Sequence, residues 1–304
     1  MTEMNVTAQL KKFLSELPAW VNRPSENKKR RLGILLPALP DAPHAVKTAV
    51  DAGWIEPVLL GSTKEQELFC HFSGLKECTS ITADDSIDAL VTALEGNKID
   101  LLLRGDGGVH TLFHRLLKLP SFRIGWVSQV AMVVPPKLNG RMLLLTDAGF
   151  SLQPTLEQKV RIIENVLKIA RKLDFNPPKV ALLAAVETVS PDITVGMHDA
   201  ILAKMGERGQ FGNALLEGPL ALDLALSEEA AIKKKVKSPV AGFANVLIAP
   251  NLEVGNGLYK ALITLAGAAS ASTVVGGSIP IALPSRADHP DAITASILLS
   301  CILS

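Results

Sequence analysis

Aromatic side chains are scarce in this sequence: one Tyr, three Trp and nine Phe amount to 4% of its residues. A core built on large rings is therefore excluded. The 48% of hydrophobic residues must pack chiefly as Ala, Val, Leu and Ile, which suits helices laid on a parallel sheet. Net charge is nearly absent too. With 31 basic and 30 acidic side chains the formal charge is +1, so no global field gathers nucleic acid or an anionic membrane, and any anion site has to be local. Only three cysteines occur, Cys70, Cys78 and Cys301. They cannot all pair, their spacing matches no metal or redox motif, and they read as buried free thiols. No apolar run reaches the ~20 residues that cross a bilayer, and residues 293–303 read as a buried terminal helix. The N-terminal stretch lacks the charged and apolar regions of a secretory signal. A cytoplasmic protein is expected, with no metal, no tightly bound cofactor, and no nucleic-acid or membrane partner.

What is present is an alternation of short apolar runs with amphipathic ones. Leu10, Phe13, Leu14 and Leu17 recur at helical spacing, and residues 24–31 read as a surface connection. Strands are predicted at 32–36, 58–60, 99–103 and 143–146, with helices between them, a pattern of βαβ units. The clearest helix starts after Thr155, which forms a capping box with Gln158, and carries Leu156, Val160, Ile163, Leu167 and Ala170 on one face. It ends before Pro177 and Pro178. Further strands are predicted at 180–186, 214–216, 246–248 and 273–275. At 304 residues the chain suits two α/β domains with a ligand cleft between them.

Four segments place polar residues at strand ends or helix starts, where α/β proteins bind ligands. The first, LLLRGDGGVHT (101–111), is a strand, a glycine-rich turn and a helix start. Its backbone N–H groups can hold a phosphate, with Arg104 adding a charge and Thr111 a hydroxyl, and Gly105 counts with them as a candidate substrate-binding residue. It is neither a Walker loop nor a dinucleotide fingerprint, and an ordinary βα turn is an equal reading. The second is TDAG (146–149), in which Asp147 anchors a turn or meets a ligand. The third (238–260) places Asn256 between glycines where a strand hands over to a helix. The only tyrosine, Tyr259, reads there as packing. The fourth, PSRADHPD (284–291), puts Ser285, Arg286, Asp288 and Asp291 within seven residues, enough to bind a phosphoryl group and accept a proton. Asp288 is equally a good N-cap, with Asp291 in the first helical turn.

The order of these segments, with TDAGFSLQPTLEQK, PKVALLAAVETVSP, LAKMGERGQ, LEGPLALD, SPVAGFANVLIAPNLEVGNGLYKAL and IPIALPSRAD, resembles the phosphate acetyl/butyryl transferase family, more closely its butyryl branch. The likeness runs over roughly residues 100–304. It implies a phosphate acyltransferase that moves a short acyl group between coenzyme A and inorganic phosphate. It also implies a two-domain, three-layer α/β/α fold similar to the isocitrate and isopropylmalate dehydrogenases, with the active site in the interdomain cleft. By the same resemblance the first domain holds 1–147 plus 282–304, and the second, 148–281, carries a homodimer contact.

Residue by residue, Ser285 and Arg286 match the family's Ser-Arg pair, in which Arg holds the acyl phosphate and Ser helps stabilise the transition state. Asp288 fits the butyryl pattern for the base that takes the thiol proton, and Asp291 lies one residue from its acetyl-branch place; both stand as candidates. Arg104 stands where the butyryl branch usually has Lys, and Gln129, after the candidate substrate contact Ser128, where that branch often has His. No cysteine adjoins the Ser-Arg segment, which favours direct transfer over a covalent acyl enzyme. Two rivals stand beside this reading. A dehydrogenase of the shared fold would need clustered metal-binding aspartates, and no such cluster falls on one helix face of the second half. A non-catalytic relative would bind coenzyme A or acyl phosphate without turnover.

Overall fold

The computed structural model describes residues 29–286 and 291–304. The helical spacing at 10–17, most of the connection at 24–31 and the candidate base Asp288 lie outside the described residues. In chain order the first elements are β1 (Arg30–Leu35), α1 (Ala42–Asp51), β2 (Ile55–Gly61), α2 (Thr63–Ser73), β3 (Thr79–Thr82), α3 (Ser86–Glu95), β4 (Leu101–Leu103) and α4 (Val109–Leu116). Then come β5 (Ser128–Val134), β6 (Leu143–Thr146), α5 (Leu156–Lys172), β7 (Lys179–Leu183), α6 (Thr194–Glu207), β8 (Leu215–Leu220), α7 (Leu222–Leu226), α8 (Glu228–Lys233), β9 (Val246–Ile248) and α9 (Leu252–Thr264). The chain closes with β10 (Ala269–Val275), β11 (Ile281–Ala282) and α10 (Asp291–Cys301).

Two compact units result: the described residues up to Val127 with those from Ala269 onward, and Ser128–Ala268. Both boundaries lie upstream of the expected division at 147/148 and 281/282. The reason is strand pairing. β5 pairs antiparallel with β6, which lies parallel to β9, so both join the second unit, while β10 pairs with β11 in the first.

In the first unit the strand order is β3-β2-β1-β4-β11-β10, parallel throughout except for the β11–β10 pair. From β1 the chain steps outward through β2 to β3 on one side and then returns to β4 on the other, so β1 and β4 flank a switch point, where loops at the carboxyl ends diverge and leave a crevice. α10 is buried along its length from Ala292 to Cys301, as the apolar terminal run predicts. Its polar residues are satisfied internally: Ser296 Oγ donates to the Ala292 carbonyl at 2.6 Å and accepts from the Ser272 N–H at 2.9 Å.

In the second unit the order is β5-β6-β9-β7-β8. Alternate residues of four strands, including Ala131, Leu145, Ala181 and Leu247, form one apolar cluster with Leu224 and Ala225 of α7. The intervening Val130, Met132, Leu144, Val180 and Val246 are equally buried, so both faces of this sheet are covered. α5 has the expected capping box, Thr155 Oγ1 accepting from the Gln158 N–H while Gln158 accepts from that of Thr155. Its inward face differs from the expected stripe, because Leu156 and Val160 are only half-buried while Lys159 and Asn165 are buried.

Lys159 is buried because its ammonium donates to Asp199 Oδ1 of α6 at 2.8 Å, in a pair that is almost fully enclosed. Burial pushes the Asp199 carboxyl above its usual range, and the adjacent ammonium works against that shift. Removing one member of such a pair leaves a lone buried charge, whereas apolar replacement of both does not. Lys159→Met is therefore expected to lose about 3–5 kcal/mol of unfolding free energy in urea titration, and Lys159→Met with Asp199→Leu to recover most of it. Equal loss in the single and double variants would show that the ion pair is not what holds α5 to α6.

Candidate active site

The first unit's candidate site residues gather where β4 and β11 end. These strands run parallel with Ala282 opposite Leu103, so Arg104 and the segment Leu283–Arg286 leave the sheet at the same edge. The loop after β1 arrives there as well. Ala38 makes an isolated bridge with Gly105, and the Asp106 N–H donates to the Pro37 carbonyl at 2.8 Å. Gly105 permits this approach because a Cβ at that position would lie 2.7 Å from the Leu35 carbonyl oxygen and 2.8 Å from that of Pro37.

Arg104 is buried rather than projecting. Its Nε donates to the Gly105 carbonyl at 2.9 Å and its Nη2 to that of Gly107 at 2.8 Å, so the guanidinium shapes the glycine-rich loop from within. Arg286, 182 residues further on, is exposed, pairs through Nε with Asp106 Oδ1 at 3.0 Å, and donates through Nη2 to the Asp106 carbonyl. Burial holds the Arg104 pKa below its ordinary value, the neighbouring Arg286 cation lowers it further, and Asp106 opposes both. Arg286 thus holds the Asp106 carboxylate directly, while Arg104 feels its charge from within the loop. The α4 helix starts beside them, with Gly108 as an N-cap that supplies no side-chain cap, so the N–H groups of the first turn have no side-chain acceptor from Gly108. Thr111 is exposed on that turn. Ser285 is half-buried next to Arg286, and Asp291 opens α10. Spacing does not set Asp106 apart within the glycine-rich segment; being the one carboxylate of RGDGG is the signal available.

The second unit holds the other residues singled out. Ser128 is fully buried, its Oγ accepting from Asn165 Nδ2 at 3.0 Å, which ties β5 to α5. Asn256 is exposed on α9 and its Nδ2 donates to the Ala148 carbonyl at 3.1 Å. Gln129 presents its N–H to Asp147 Oδ1 at 3.3 Å. Asp147 is a turn anchor. Its carboxylate also accepts from the N–H groups of Gly149, Phe150 and Ser151 and from Ser151 Oγ, at 2.7 to 3.2 Å. Burial raises its pKa while these donors pull it down. Tyr259 is buried as packing.

The family described as phosphate acetyl/butaryl transferase matches residues 110–301, more than half of the chain. The chain belongs to this family. It is similar to the phosphate acetyltransferase of Thermotoga maritima, with 38% identity over 82% of this chain and 86% of that one. It is also similar to the phosphate butyryltransferase of Clostridium acetobutylicum, with 37% identity over 70% and 71%. Among solved structures, a branched-chain phosphotransacylase from Enterococcus faecalis V583 covers 90% of this chain and 98% of its own length at 28% identity, with a TM-score of 0.76. The part of the glycine-rich loop that precedes residue 110 lies upstream of the family match, so Arg104 to Gly108 rest on geometry.

Gly105→Ala is the sharpest local test of that geometry. Both atoms its Cβ would meet are backbone oxygens, which cannot rotate aside, and overpacking of this kind costs about 1–3 kcal/mol. Urea denaturation is expected to show that loss, and an unchanged midpoint would mean that the two loops do not meet as described.

Proposed function

We propose that this chain transfers a short acyl group between coenzyme A and inorganic phosphate, with the reacting phosphate held by the loop after β4 and the Ser285–Arg286 segment. The observation that supports this site is the pairing of Arg286 with Asp106 on a loop shaped from within by Arg104, beside an N-terminus of α4 that carries no side-chain cap. The reaction itself rests on family membership and on relatives named for phosphate acetyl and phosphate butyryl transfer.

In this reading the thiolate of coenzyme A attacks the carbonyl carbon of the acyl phosphate, and phosphate leaves as the tetrahedral centre collapses. Negative charge develops on the carbonyl and phosphoryl oxygens. Arg286 turns from Asp106 to that charge, Ser285 donates a hydrogen bond, and the α4 N–H groups bind phosphate oxygens. Gly105 and Arg104 keep the loop in shape, and Thr111 adds a hydroxyl on the same turn. Asp288 and Asp291 are the candidate bases. A free thiol has a pKa near ~8.5, so the base contributes chiefly through placement. Asn256 is the second unit's candidate substrate contact, whereas Ser128, fully buried and hydrogen-bonded to Asn165, holds β5 to α5 and does not touch substrate.

The test is phosphate-dependent release of free thiol from acyl-CoA esters, from acetyl to branched five-carbon chains; no release with any of them would refute the enzyme reading. With the best ester, Arg286→Lys is expected to lower kcat/KM by ~30- to 1000-fold, because one bidentate contact to the transferring group is lost. Arg104→Lys should cost about 10-fold, since its contacts go to the loop's own carbonyls and act indirectly. The reverse order would mean that Arg104, and not Arg286, makes the charge contact with the reacting phosphate.

The proposed homodimer contact lies on α6. Ile193, Met197 and Ile201 recur every four residues and are 36%, 38% and 42% exposed, an apolar stripe on the side away from Asp199 and Leu202. Wild-type protein is expected at twice the monomer mass in light scattering, and Met197→Glu with Ile201→Glu at the monomer mass. A double variant that stays dimeric would place the contact elsewhere.

A further inference from the structure

Cys301 is buried, as expected, but Cys70 and Cys78 are only half-buried and face each other with their sulfurs 3.9 Å apart. Cys70 lies on α2 and Cys78 just before β3, and the intervening turn is pinned. Gly74 caps α2 in the left-handed conformation at φ 67°, its N–H donating to the Cys70 carbonyl. Ser73 Oγ accepts from the Leu75 N–H at 3.4 Å. From α2, Gln66 Nε2 donates to the carbonyls of Gly61 at 2.8 Å and Ile81 at 3.3 Å, tying the helix to β2 and β3. The two thiols are therefore held as neighbours by the elements that carry them. A disulfide needs the sulfurs about 1.9 Å closer, within reach of side-chain rotation.

We propose that Cys70 and Cys78 form a reversible redox pair, oxidised to an intramolecular disulfide by low-molecular-weight disulfides. The thiolate of Cys70 attacks one sulfur of RSSR and expels RS⁻. Cys78 then gives its proton to solvent, attacks the Cys70 sulfur of the mixed disulfide and expels the second RS⁻. In sum two protein thiols lose two protons and two electrons, and RSSR takes them up to become two RSH. Cys78 is the poorer first nucleophile, since burial and the adjacent Cys70 push its pKa up to about 12. The bond would fasten the end of α2 to the segment entering β3, at the edge of the first unit's sheet.

The test uses the full chain, reduced, desalted and incubated with oxidised glutathione, then alkylated, digested with trypsin and weighed without reduction. Lys76 lies between the two cysteines, so cleavage leaves peptides joined only by the new bond. The expected result is a linked pair of peptides containing Cys70 and Cys78, lighter by about 2 Da than the sum of the two in thiol form, and reversal by dithiothreitol. Cys78→Ser should instead keep glutathione on Cys70, a gain of about 305 Da. Separate glutathione adducts on Cys70 and Cys78 of the wild type, or two thiols that stay reduced, would overturn the proposal. The basal transfer rate of Cys70→Ser with Cys78→Ser is expected to stay within about twofold, because β3 stands three strands, or about 14 Å, from β4.

Discussion

Gly105 sits where two loops must touch. The chain leaving β4 passes so close to the Leu35 and Pro37 carbonyls that no side chain fits, and the Ala38 bridge and the Asp106 bond to Pro37 follow from that approach. Once Asp106 is fixed, it offers Arg286 a carboxylate oxygen and a carbonyl oxygen together. Arg104, turned inward, holds the Gly105 and Gly107 carbonyls and sets the entry to α4. A methyl group at one position would disturb each of these placements. That dependence is why the site belongs to the end of β4 and not to the glycine-rich sequence as such.

The electrostatics of this corner favour an exchange of partners. The Arg286–Asp106 pair is about half exposed, and ion pairs of that kind hold only weakly, so an anion of higher charge competes well for the guanidinium. Arg104 raises the stake, since its buried charge is opposed by Arg286 and only partly offset by Asp106, so the phosphate proposed for this site would relieve it. A chain with a formal charge of +1 can thus present a strongly cationic point without being a basic protein.

Much of this was legible in the sequence because local rules governed it. The Thr155–Gln158 box, the strands at 143–146 and 246–248 and the buried terminal helix depend on capping and periodicity, and each matches its element. Ser285, Arg286 and Arg104 were marked by residue type beside a strand end. What stayed hidden was pairing in space. β3 is a mostly exposed edge strand of four residues, and β11 has two, too short for a period to declare itself. The seven residues of β5 are buried on both faces, so they lack alternation. The role of Asp106 depends on a residue 180 positions away, and the nearness of Cys70 and Cys78 on a turn whose geometry no spacing rule describes.

The helix α6 shows the same limit in reverse. Its inward side carries Asp199 and its outward side Met197 and Ile201, so a reader of amphipathicity would orient it wrongly or not at all. The inversion is tolerated because Lys159 meets the inward carboxylate on one side while its other oxygen, Asp199 Oδ2, has no hydrogen-bond partner. Burying a charge with one oxygen unsatisfied costs free energy that an apolar residue would avoid, so the pair adds little net stability. What it adds is register. A one-turn slip of α6 along α5 would strand both charges, whereas an apolar contact would tolerate the slide, and the apolar stripe on the outer side keeps its aim only if the inner side cannot move.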